Sequence, residues 1–141
     1  MTTAKVNWAG GLRFVGEADS GHLVVMEAPG PDGQDPGAST PVESVLIALC
    51  ACTGIDVVSV LKKMRLSPSA LEVSAEGERA ADHPRVFTAI RLRVRATGDV
   101  PLDKLERAVR LSEETYCSVG AMLAKTARIE HVCEVVPSLG P

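Results

Sequence analysis

The sequence predicts an α+β fold in which small antiparallel sheets accompany one long helix. One pair of segments, 70–79 and 86–96, alternates apolar and polar residues with period two, and an earlier pair, 4–15 and 22–28, flanks a hairpin-turn signal. Between them, residues 40–64 read as a single helix, apolar nearly all round over 44–60, and a second helical periodicity follows near the C-terminus. At 141 residues the chain is most simply one domain, 1–141, long enough to bury a core.

Residues 4–15 and 22–28 flank "GEADSG", which is expected to be a hairpin turn. "PGPDGQDPGAS", residues 29–39, is rich in Pro and Gly and reads as a loop. The helix start that follows has Thr40 as N-cap, Pro41 at the first helical position and Glu43 three residues after the cap. Together they form a capping box, with proline where a missing N–H costs nothing. Lys62, Lys63 and Arg65 suit the negative end of the helix dipole. Residues 44–60 are apolar nearly all round, so several sides of this helix must be covered, and a partner subunit is inferred.

Residues 70–79 and 86–96 form a second antiparallel pair, one polar face acidic and the other carrying Arg91, Arg93 and Arg95. Leu102, Leu105, Val109 and Leu111 recur at helical spacing, residues 118–127 form a short helix, and "RIEHVCEVV" is the last strand. No internal repeat is present.

The net charge of −3 without a basic block argues against nucleic acid as a partner. The longest uncharged stretch, Ser44–Ile55, is well short of the ~20 residues of a membrane crossing. "MTTAKVNWAGG" lacks the layout of a secretion signal. Four unevenly spaced cysteines do not make a disulfide scaffold, so a reducing cytoplasm is expected. No C-x-x-C or H-x-x-x-H spacing occurs, and His22, His83 and His131 lie in separate segments. Neither a metal nor a cofactor is predicted.

Chemistry is concentrated in "ALCACTGIDVVSV" and "ETYCSVGAML". Cys50 and Cys52, two apart on a helix, point roughly 200° from one another and cannot bond together. Either could be a small core residue. Cys117 stands where one helix ends and another begins, where unpaired N–H groups are expected to lower its pKa. Helices packed together could bring Cys52 and Cys117 within range, the layout of a peroxide-attacking thiol and a resolving one.

"STPVESVLIALCACTGIDVVSVLKKM", "RVFTAIRLRVRATG" and "LERAVRLSEETYCSVGAMLAKTARIEHVCEVV" resemble the OsmC/Ohr family, in particular its YhfA-like branch, over essentially the whole chain. The resemblance implies an OsmC-like fold, an intertwined homodimer with the thiols at the subunit interface, and thiol-dependent reduction of organic hydroperoxides. It matches Cys52 to the peroxide-attacking cysteine and Cys117 to the resolving one, leaving Cys50 and Cys133 as core. It also implies a dithiol reductant, such as a lipoylated protein. In the family an Arg and a Glu brace the thiolate. The family's glutamate position holds Val42 here, with Glu43 one step later, and Arg13 is the only Lys or Arg left in the region where the family's Arg lies.

Each residue also has a plainer role. Glu43 closes the capping box, Arg13 is a solvated strand charge, and Asp56 is a buried hydrogen-bonding group that opposes a thiolate if it faces Cys52. Two functions follow. One is a peroxidase with Cys52 as nucleophile, Cys117 resolving, Arg13 supporting the thiolate and Glu43 orienting that Arg. The other is a non-catalytic or redox-responsive homodimer that holds a small apolar ligand.

Overall fold

In the computed structural model, which describes residues 1–139, Gly10 and Gly11 take φ of 96° and 53° and reverse the chain. Glycine enters this region at little steric cost. The expected strand over 4–15 is therefore two, β1 (Ala4–Trp8) and β2 (Arg13–Ala18), with β3 (Leu23–Glu27) beyond a turn at Ala18–Gly21. They form an antiparallel sheet in the order β1-β2-β3. The signal for the extra turn was the Gly-Gly pair itself.

The described residues fall into two compact units, Met1–Val45 and those from Leu46 onward, divided within α1 (Pro41–Lys63). In the first unit the capping box is formed as expected. The Thr40 N–H donates to Glu43 Oε2 at 2.9 Å, and the Glu43 N–H donates to Thr40 Oγ1 at 3.2 Å. Val6, Trp8, Leu12, Leu23 and Val24 of this unit are exposed.

In the second unit, α1 ends at a left-handed Arg65 (φ 61°), with the Leu66 N–H reaching the Leu61 carbonyl at 2.9 Å. This is the Schellman type of helix ending. β4 (Ala70–Arg79) and β5 (Phe87–Thr97) pair antiparallel, with Glu72 opposite Arg95 and Glu76 opposite Arg91. The antiparallel pairs are present as expected, and β6 (Arg128–Val136), whose partner the sequence left unassigned, pairs parallel to β5. A parallel neighbour needs a crossover, and α2 (Leu102–Leu111), a π-helical turn (Ser112–Tyr116) and α3 (Ser118–Leu123) supply it. Arg91 and Arg95 make their ion pairs with Glu130 (3.2 Å) and Glu134 (3.1 Å) of β6, not with the glutamates opposite them on β4.

Val57, Val60 and Leu61 of α1 pack with Val94 and Ala96 of β5 and Leu105, Ala108 and Val109 of α2. Each of the valine and leucine side chains contributes about 1.5–3 kcal/mol when removed from water. By length and composition α1 could cross a membrane, but Leu49, Thr53, Val57, Val60 and Leu61 form a buried stripe, the pattern of a core helix. Its other face is open, with Ile47, Ile55 and Val58 exposed by 56%, 67% and 47%.

Candidate functional site

The site is assembled from one helix and one irregular turn. On α1, Cys52 and Asp56 are four residues apart and so share a face, with Thr53 beside them. On α2 the buried stripe Leu105, Ala108, Val109 continues at helical spacing to Ser112, which is 1% exposed. There the α-helix widens into the π-turn, and the Cys117 N–H donates to the Ser112 carbonyl five residues back, at 2.8 Å. Cys117 then takes an extended conformation (φ −74°, ψ 98°) and opens α3.

This arrangement brings Cys52 Sγ, Cys117 Sγ and a carboxylate oxygen of Asp56 within 4.8 Å of one another. The Ser112 hydroxyl donates to Asp56 Oδ2 at 2.8 Å. The Gly120 N–H donates to Cys117 Sγ at 3.2 Å, and Thr53 Oγ1 lies 3.9 Å from the same sulfur. Cys117 is buried, while Cys52 and Asp56 are half-buried. Spacing along the chain does not announce the cluster, because its members come from two elements. Ser112 was not singled out in the sequence, although a lone hydroxyl on an otherwise apolar helical stripe was the available signal.

The expected lowering of the Cys117 pKa is corrected. Burial raises it, and the neighbouring Cys52 adds to the rise, while the Gly120 N–H and Thr53 act against it. The anticipated N–H contact exists, but desolvation outweighs it. Against Cys117 lies a small cavity of about 110 Å³ lined by Leu49, Thr53, Gly120, Glu113 and His131. His131 Nδ1 stands 3.4 Å from Glu113 Oε2.

Cys50 looks the other way, into a shallow groove of about 650 Å³ with Ile47, Ala51, Gly54, Ile55 and Val58. Burial raises its pKa, and burial, with Glu106 adding, pushes the Cys133 thiol up to about 11. Both are half-buried rather than full members of the core.

Arg13 and Glu43 do not pair as expected. Arg13 stands opposite Glu27 in the β2–β3 register, and its Nε lies 3.3 Å from Glu27 Oε1. The Glu27 pKa is lowered, chiefly because the Gly37 N–H donates to it; burial opposes this, and Arg13 assists it. Glu43 is engaged by the Thr40 backbone. The register supplied Arg13 with a carboxylate directly across the strand pair, which one-dimensional spacing could not reveal.

A long helix, two three-stranded sheets and two neighbouring thiols mark a recognised class, and the chain belongs to the OsmC-like protein family, whose model matches residues 32–132. It is 44% identical to Protein YhfA of Escherichia coli strain K12 over 134 residues, covering 94% of this chain and 97% of that protein. A hypothetical protein from Aquifex aeolicus VF5 has a similar structure, with a TM-score of 0.86 and 27% identity over 99% of this chain and 98% of that one. The organic hydroperoxide resistance protein OhrB of Bacillus subtilis shares the fold, with a TM-score of 0.67 and 20% identity over 93% of this chain and 97% of that chain.

Proposed function

We propose that the chain is a thiol-dependent peroxidase of organic hydroperoxides. The observation that carries this reading is the approach of the Cys52 and Cys117 sulfurs to within 4.8 Å. Disulfide formation requires about 2.05 Å between sulfurs, a closure within reach of side-chain rotation. Membership of a family that includes hydroperoxide resistance proteins supports the same reading.

In the proposed cycle the Cys52 thiolate attacks the terminal oxygen of the hydroperoxide. The O–O bond breaks, the alcohol leaves with a proton, and Cys52 becomes a sulfenic acid. Cys117 then attacks Cys52 Sγ, the S–O bond breaks, water leaves, and a disulfide forms. An external dithiol, such as a lipoylated protein, restores both thiols by exchange and is itself oxidised. A reducing cytoplasm suits such a cycle.

The same reading includes a homodimer. The groove that runs along Ile47, Cys50, Ile55 and Val58, bordered by Leu71 and Val73 of β4, is an apolar surface that leaves Ile47, Ile55 and Val58 exposed. In the first unit, Val6, Leu12, Phe14, Val24 and Met26 line another apolar groove of about 440 Å³. A second copy of the chain would cover such surfaces.

A second reading, a ligand-binding homodimer with idle thiols, is favoured by the raised pKa of Cys117 and by the pairing of Arg13 with Glu27. One equivalent of cumene hydroperoxide separates the two. The peroxidase loses two free thiols per chain, and Cys52→Ser abolishes disulfide formation. An unchanged thiol titre with persisting hydroperoxide leaves only the binding module.

A further inference from the structure

We propose that the reduced Cys52–Asp56–Cys117 cluster is a binding site for a thiophilic divalent cation of the zinc type, and that occupancy and disulfide formation exclude one another. Its basis is three ligand atoms of suitable chemistry, two sulfurs and a carboxylate oxygen, mutually within 4.8 Å. Zinc takes sulfur at about 2.3 Å and oxygen at about 2.0–2.2 Å, so tetrahedral ligand atoms stand roughly 3.5–3.8 Å apart. Contraction of about 1 Å, by rotation of the side chains, therefore suffices.

The surroundings match those of a metal site in two ways. Ligating carboxylates are usually held by a further hydrogen bond, and the Ser112 hydroxyl holds Asp56 at 2.8 Å. The cluster is also partly withdrawn from water, since Cys117 is 5% exposed and Cys52 and Asp56 are half-buried. Without a cation, two thiolates and a carboxylate in that space would repel each other. A divalent cation reverses this, because it is the largest local charge and favours deprotonated thiols. On binding, both thiol protons pass to solvent, and no electron is transferred. The cluster supplies three ligands, so the fourth position falls to water and the cation remains exchangeable.

Oxidation removes the site. A disulfide has given up the two electrons and the two thiolate charges that the cation needs, whether the oxidant is a hydroperoxide or diamide. Conversely, sulfurs held by the metal are withdrawn from attack. Binding requires only the reduced thiols, so it stands whether or not hydroperoxide is turned over.

The test uses the full chain, reduced and held without oxygen, titrated with Co²⁺ while the thiolate-to-cobalt charge-transfer absorption is followed. One equivalent per chain is expected, displaced by Zn²⁺. Cys52→Ser and Cys117→Ser should abolish the band, Asp56→Asn should weaken binding about tenfold or more, and Cys50→Ser should leave it intact. Absence of the band, or binding by Cys52→Ser equal to wild type, overturns the proposal. On the unsubstituted protein, Zn²⁺ should slow alkylation of Cys52 and Cys117 but not of Cys50; equal protection of all three overturns it as well. Prior oxidation with diamide should eliminate Co²⁺ binding. A cobalt band without hydroperoxide consumption refutes the peroxidase and spares the metal site.

Discussion

The Ser112 hydroxyl donates to the Asp56 carboxylate across 2.8 Å, joining the π-turn that leads to Cys117 to the helix that carries Cys52. This hydrogen bond thus helps to tie together the two elements that present the two sulfurs, beside the longer Thr53–Cys117 contact. Ser112→Ala removes the donor and leaves a half-buried acceptor without its partner, at an expected cost of about 1–3 kcal/mol. Urea unfolding measures that cost, and diamide oxidation should close the Cys52–Cys117 disulfide more slowly in the variant. Wild-type values in both assays would mean that the bond positions nothing.

Burial raises the Cys117 pKa, so its thiol should remain protonated through neutral pH. Site-resolved alkylation of the reduced protein should modify Cys117 more slowly than a small free thiol at pH 7, with the rate still climbing above pH 9. Modification at the free-thiol rate would contradict the burial argument.

Cys133, pushed up to about 11, links stability to alkaline pH. Its ordinary value is 9.0, so between about 9 and 11 the folded state holds a proton that the unfolded state has lost. Stability is then fully present below the unfolded value and declines as pH rises through this window. The urea midpoint should fall from pH 9 to 11, and less steeply in Cys133→Ala. Equal slopes in the two proteins would assign the loss to other groups.

For the proposed homodimer, Ile55 is the most exposed apolar residue of the α1 groove, at 67%. Ile55→Asp would place a charge in the covered face, a penalty of about 2 kcal/mol or more and a weakening of tenfold or more. Light scattering on a dilution series should show a wild-type dimer and a variant shifted toward monomer. Identical curves would exclude this face as the interface.

Gly77 of β4 lies against Phe87, and a Cβ there would stand 2.6 Å from Phe87 Cε1 and 2.7 Å from Cδ1. Gly77→Ala must therefore displace a buried ring, at an expected cost of about 1–3 kcal/mol. Urea unfolding of the variant measures it, and a gain in stability would show that the ring moves freely.

Local features were the most legible in the sequence. The capping box at Thr40 and Glu43 and the alternation over β4 and β5 depend on neighbours a few residues away, and both are present. The segment 4–15, expected as one strand, is divided at Gly10 and Gly11, whose positive φ makes the turn. The arginines of β5 were matched with the glutamates of β4, but β6 competes for them from the other side. A central strand has two neighbours, and periodicity on one strand does not say which will hold its charges.

By itself the sequence determined the α+β class, the long helix and its start, and the two segments that bear Cys52 and Cys117, because residue spacing and capping act over a few residues. Only the tertiary structure decided that Asp56 joins those sulfurs, that Ser112 holds Asp56, that Arg13 faces Glu27, and that β6 runs parallel to β5. These depend on which distant segments pack together, and on desolvation, which reversed the direction expected for the Cys117 pKa.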